Sequence, residues 1–239
     1  MTTYGILNLN TREVNISPSI AVAGSFEIPV STLVPMLLRK GNIAIDVGAN
    51  IGYYTTMMAK IVGPVGHVFA FEPESKNMAF LHKNIVDNNL GNVTLEEMIV
   101  SDADGNRSLF LSKDPSLTGQ HSIVRRLSNE TLLRESCKLD TSLDQAGVRR
   151  VDLVKIDVEG AEGLVLKGLA GRLGSGDVRT IIIERNTESI DVTRDVLPEL
   201  ARAYRLFPIF ANHLGREVSA KAELPGRAGN LLLVRKTRR

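Results

Sequence analysis

The chain has 239 residues, 43% of them hydrophobic and 23% charged, and a formal net charge of +2. That balance excludes an intrinsically disordered chain, and so neutral a sum argues against the basic footprint of a nucleic-acid coat. The single cysteine, Cys137, excludes an internal disulfide framework and a thiolate metal cluster.

No apolar run approaches the roughly 20 residues of a membrane span, and the opening residues lack a secretory pattern. A cytoplasmic protein with no membrane contact is expected. The length suits a single domain: an N-terminal cap over 1–40, a core over 41–239, and a polar insert at about 101–150.

Residues 1–40 read as one or two short strands, then a helix from Ser31 with Pro35 near its first turn. Ile43 to Val47 is a short apolar run with an acid near its end, the pattern of a buried strand. Tyr53 to Val62 is a helix stopped by Gly63-Pro64, and Val68 to Phe71 is a second strand ending at Glu72-Pro73. Ser75 to Asn88 is a helix, and Val93 to Val100 a third strand. In the insert, Leu109 to Leu111 and Ser122 to Arg126 are candidate paired strands. Val151 to Val158 is the fourth core strand, Ala161 to Leu173 a helix, and Thr180 to Glu184 the fifth strand. Val192 to Tyr204 is helical, and Leu231 to Val234 is a last strand. This alternation predicts an α/β fold with a doubly wound, mostly parallel sheet.

The segment Asp46-Val47-Gly48-Ala49-Asn50-Ile51-Gly52 follows the first strand. Glycines there let backbone approach a ligand at the next helix. A dinucleotide site would want G-x-G-x-x-G with amides facing a pyrophosphate, but Asn50 stands at the middle position and Asp46 just before the loop. A carboxylate repels pyrophosphate and suits a ligand carrying an ammonium and a sulfonium. S-adenosylmethionine is such a ligand. Glu72, ending the second strand, is placed to accept the hydroxyls of a cofactor ribose. Adenine would then lie near Met98 and Ile99, with Ser101 or Asp102 reaching its exocyclic amine.

Asp46 to Gly52, Phe71-Glu72-Pro73 and Val154-Lys-Ile-Asp-Val-Glu-Gly-Ala-Glu162 resemble the FkbM family of S-adenosylmethionine-dependent methyltransferases. Phe26-Glu27-Ile28-Pro29 resembles an aromatic-Glu-x-Pro signal that precedes the glycine loop in many members. The resemblance implies a class I methyltransferase fold, seven-stranded with a final antiparallel strand. It also implies S-adenosylmethionine contacts from Glu27, Asp46, Gly48, Asn50, Gly52, Tyr54, Glu72, Pro73 and Asp157. O-methylation of sugars or secondary metabolites is the commonest activity.

In the fourth strand, alternation puts Lys155 and Asp157 on one face, and a buried charge must be paired. Asp157 is at the carboxyl end, where ligands collect, and is expected to line the methyl-transfer site. A hydroxyl acceptor needs a base within hydrogen-bond reach. The candidates are Asp157, Glu184 and His121, the last in the polar insert. No histidine spacing supports zinc, and no resident metal is expected; the acids at this edge are the set a magnesium ion would use. The function read from the sequence is methylation of a hydroxyl on a small molecule or saccharide. An N-methyltransferase for an amine, amino acid or peptide is the alternative. An RNA methyltransferase fits less well, with seven Phe, four Tyr and no Trp to stack bases. Homo-oligomerisation is left open.

Overall fold

The computed structural model describes residues 2–114, 116–117, 119–126, 128–184, 196–219 and 229–237. Two helices come first, α1 (Ile16–Ala23) and α2 (Ile28–Leu37). The alternating part runs β1 (Ile43–Val47), α3 (Tyr53–Val62), β2 (His67–Phe71), α4 (Ser75–Asp87) and β3 (Val93–Glu96). A small unit follows: β4 (Ile99–Val100), β5 (Gly105–Phe110), β6 (Thr131–Cys137) and α5 (Leu139–Gln145). The chain returns through β7 (Leu153–Ile156), α6 (Glu162–Gly168), α7 (Ala170–Ser175) and β8 (Thr180–Glu184). It closes with α8 (Leu197–Ala203), β9 (Tyr204–Ile209) and β10 (Asn230–Arg235).

The apolar runs pair into a seven-stranded sheet in the order β3-β2-β1-β7-β8-β10-β9. The first five are parallel, and β10 lies antiparallel between β8 and β9. This is the doubly wound α/β architecture expected, with its antiparallel strand. Alternation divides the core in two. Ile45, Val47, Phe69 and Phe71 pack with Leu139, Val165 and Leu166 on one face; Ala44, Val68 and Leu153 pack with Val34, Met57 and Met58 on the other.

Register sets the site. Val47 lies opposite Phe71 on one side and Ile156 on the other, and Ile156 lies opposite Ile183. The next residue along each strand path (Gly48, Glu72, Asp157, Glu184) therefore emerges at one edge of the sheet. The strand order reverses between β1 and β7, which opens a crevice at that edge.

Several elements differ from their expected bounds. The run Val93 to Val100 divides: β3 stops at Glu96, and Ile99–Val100 leaves the large sheet to pair with β6. The fourth core strand is only Leu153–Ile156, because the chain turns through Glu159 at φ 52 and Gly160 at φ 101. The helix from Ala161 to Leu173 breaks at Leu169 (φ −111, ψ 9) into α6 and α7. In the insert, β5 pairs with β6 rather than with Ser122 to Arg126; Ser122 keeps only a bridge to Phe110. At the N-terminus α1 replaces the expected strands. α2 starts three residues before Ser31, and Pro35 lies inside it, forgoing the bond to the Ser31 carbonyl. Tyr204 begins a strand instead of ending a helix. Residues 192–195 of the expected late helix lie outside the described residues. Among the described residues, no single helix is long and apolar enough to cross a membrane.

Candidate active site

The glycine loop is held by its own backbone. The amides of Gly48 and Ala49 both donate to the Phe71 carbonyl, at 3.0 Å each, and Gly52 donates to Ala49. The Asn50 amide donates to Glu72 Oε2 (2.8 Å), and the Ile51 amide to Asn50 Oδ1 (2.7 Å). Every amide from Gly48 to Gly52 is thus consumed internally, and no nest of free N–H groups faces outward for a pyrophosphate. Gly48 has φ 79, and a Cβ there would fall 1.8 Å from the Asp157 carbonyl oxygen. Its glycine lets β1 and β7 approach closely at the crevice.

The loop forms one wall of a cavity that also touches Glu72, Pro73, Met98, Ile99, Asp157 and Glu184. Glu72 is nearly fully buried, and its Oε1 accepts the Glu74 amide at 3.0 Å. Burial pushes its carboxyl up to about 7 against these stabilising bonds. Phe71, Met98, Ile99, Val100 and Leu109 give this end an apolar lining suited to a flat base. The N-terminal segment closes the cavity through Glu13, Asn15, Ile16, Phe26 and Glu27. Glu13 accepts the amides of Asn15, Ile16 and Ser17, which caps α1 and fixes the segment.

At the other end lies a charge cluster. Lys155 is 3% exposed; its ammonium donates to Asp157 Oδ2 at 2.8 Å and sits 4.6 Å from the Tyr54 ring centre. Burial would lower its pKa, but the charges of Asp157, Asp46 and Glu27 outweigh that and hold it above the usual lysine range. Asp46 is the register partner of Lys155 and accepts Thr55 Oγ1 at 2.6 Å. Glu27, in the left-handed region at φ 45, accepts from Tyr54 Oη (3.0 Å) and Asn230 Nδ2 (3.0 Å). Carboxylate oxygens of Asp157, Glu159 and Glu184 lie within 4.8 Å of one another, close enough to share a cation. Burial would raise Asp157, but Lys155 and a hydrogen bond from Glu184 keep it below the usual carboxylate range. The charge of Asp157, then burial, pushes Glu184 up to about 10, so Glu184 carries a proton at neutral pH. Arg125 lies 3.5 Å from Glu159.

Glu27, Gly48, Asn50, Glu72, Pro73, Met98, Ile99, His121, Asp157 and Glu184 therefore share one cavity. Asp46, Gly52 and Tyr54 do not line it. Asp46 lies behind the loop, Gly52 starts α3 against Leu81, and Tyr54 supports Glu27 and Lys155. Ser101 is withdrawn from it as well: fully buried, it donates to Asp102, which is paired with Arg107. Glu13, Asn15 and Ile16 reach the cavity with no local motif to announce them. Glu159 was visible in the fourth-strand motif, and its positive φ follows from the turn into Gly160. Three of the four described non-glycine residues with positive φ (Glu27, Asn50 and Glu159) line this cavity, as strained backbone often does at functional sites.

A family model described as the Methyltransferase FkbM domain matches residues 46–206. The 31-O-demethyl-FK506 methyltransferase FkbM of Streptomyces tacrolimicus is 27% identical over 55% of this chain and 61% of its own length. The hexuronic acid methyltransferase AglP of Haloferax volcanii is 29% identical over 62% of this chain and 59% of its own length. The chain thus spans about three-fifths of the length of the curated relatives it matches. Among solved structures, methyltransferase FkbM from Methylobacillus flagellatus superposes with a TM-score of 0.53 at 18% identity, covering 83% of this chain and 45% of that one. An S-adenosylmethionine-dependent O-methyltransferase from Thermotoga maritima gives 0.50 at 17% identity, over 92% and 71% of the two chains.

Proposed function

The chain belongs to the FkbM methyltransferase family, and from that premise we propose that it methylates a hydroxyl of a saccharide or secondary metabolite, with S-adenosylmethionine as donor. The observation that carries the donor is the loop: its amides are all consumed, and the neighbouring strand ends bear carboxylates. Such an edge favours a cation over a phosphate. Glu72 and Pro73, with Met98 and Ile99, would hold the adenosine; Glu27 and the Asp157 end would face the ammonium and sulfonium. When bound, this donor supplies an electrophilic methyl group. The chain's own work is to align an acceptor oxygen with it, to exclude water, and to take a proton.

Asp157 suits the proton-accepting role because its carboxylate faces the cavity and is held by Lys155 from behind. Glu184, protonated, donates to Asp157 and orients it. Support for an oxygen acceptor comes from a relative named as a 31-O-demethyl-FK506 methyltransferase, and for a saccharide from one named as a hexuronic acid methyltransferase. The surplus of carboxylates over cations at this end favours a second reading, in which a protonated amine is bound and N-methylated. The test of the donor is isothermal titration with S-adenosylhomocysteine. The full chain binds it, and Glu72→Gln weakens binding at least tenfold. A wild-type chain that does not bind overturns the reading.

A further inference from the structure

His121 is one of three candidate bases for the acceptor in the sequence, beside Asp157 and Glu184. The structure gives its ring a different setting. Its Nδ1 accepts the Ser112 amide at 3.0 Å, so in the neutral ring the proton resides on Nε2. The charges that act on it are Glu74 and Lys76, in and beside the first turn of α4, not the acids of β7 and β8. Burial also favours the neutral ring. It lines the cavity together with Glu72 and Pro73, which lead into the same helix. The loop that carries it is tied down on both sides. Phe110 and Ser122 exchange two backbone bonds (2.8 and 3.0 Å), Ser122 Oγ donates to the Glu159 carbonyl at 3.0 Å, and the Val14 amide donates to the Ser116 carbonyl at 3.1 Å.

We propose that His121 is a donor-binding residue: its Nε2–H points a hydrogen bond at the adenosine half of S-adenosylmethionine, and it takes no proton from the acceptor. This rests on the donor reading above and deepens it. A neutral imidazole whose Nδ1 is already occupied offers the cavity a donor. To serve as base through Nε2 the ring would have to surrender the Ser112 bond and change tautomer. The insert then acts as the wall that closes over the adenosine, with His121 as its polar contact.

Titration calorimetry on the full chain with S-adenosylhomocysteine and with 5′-methylthioadenosine, which lacks the amino-acid half, tests this. His121→Phe keeps the bulk and removes the donor, and it weakens both ligands by the same factor, about tenfold. Nitrogen NMR of the histidine rings provides a readout independent of any substitution. In the wild type His121 shows the Nε2-protonated tautomer, and its Nε2 resonance moves when 5′-methylthioadenosine is added. Unchanged affinity in His121→Phe, or an Nδ1-protonated ring, overturns the proposal while leaving the donor reading intact. Failure of the wild type to bind either ligand overturns the donor reading itself.

Discussion

At the scale of single residues, the site depends on which carboxyl group holds a proton. Asp157 and Glu184 are too close for both to ionise cheaply, and Lys155 sides with Asp157. Glu184 is thus raised to about 10 in the folded chain, far above its ordinary value. A carboxyl raised on folding is fully compatible with the native state below its unfolded pKa. Its contribution is lost progressively as pH rises from there through about 10. Glu184→Gln keeps a donor toward Asp157 and removes the titration. The melting temperature of the variant should match wild type near pH 5 and exceed it increasingly toward pH 9. Melting curves that run parallel across that range would mean the proton is not on Glu184. Glu72, raised to about 7, contributes a loss of the same sign over a narrower pH range ending near 7, which the variant leaves in place. Asp157 works in the opposite direction, its stabilisation vanishing as pH falls below the carboxylate range.

At the scale of elements, β7 delivers one cation into a ring of acids brought by α2, β1 and β8. Lys155 faces Asp46 across the strand pair, Asp157 two residues on, and Glu27 from the start of α2. Removing one partner of a buried pair leaves an uncompensated charge, at a cost of about 3–5 kcal/mol. Lys155→Met should therefore unfold at markedly lower denaturant. Adding Asp157→Asn to it should restore part of the loss, because the charge left behind is then gone. A double-mutant cycle with no coupling would show that the pair is incidental. The elements that build this cluster were legible locally. β1 and β8 are short apolar runs with an acid at or next to the end, and α3 is bounded by a glycine on each side, so composition alone marks their bounds. The insert was not. Whether β5 pairs with Ser122 or with Thr131 to Cys137 depends on contacts between distant segments, and pattern does not encode that. α1 escaped for another reason: Asn15 stands at its N-cap but its side chain makes no cap bond, and the first amides are held instead by Glu13, two residues earlier.

For the whole molecule, the net charge of +2 conceals a separation. Acids gather at the carboxyl edge of the sheet, where the strand order reverses and Gly48 keeps β1 and β7 close. That edge was legible where Glu72, Asp157 and Glu184 end or directly follow strands that announce themselves, while Glu27 comes from the start of α2 and Glu159 from the turn after β7. The location of His121 was not, since it depends on how the insert folds back over β2 and α4. The same acids raise the question of how so much negative charge is tolerated. Two answers are open to a group of three carboxylates within 4.8 Å: a divalent ion, or an ammonium and a proton. Lys155 on Asp157 supplies the ammonium, Arg125 lies 3.5 Å from Glu159, and the charge of Asp157 with burial favours a proton on Glu184. A cation added to this set would compete with the charge of Lys155, which already holds Asp157 at 2.8 Å and is nearly wholly shielded from water. Methyl transfer measured after exhaustive treatment with EDTA should therefore proceed at the untreated rate, and added magnesium should leave it unchanged. A loss of activity on chelation that magnesium restores would replace the internal neutralisation by a metal, and Glu184→Gln would then lower the magnesium affinity as well as the rate.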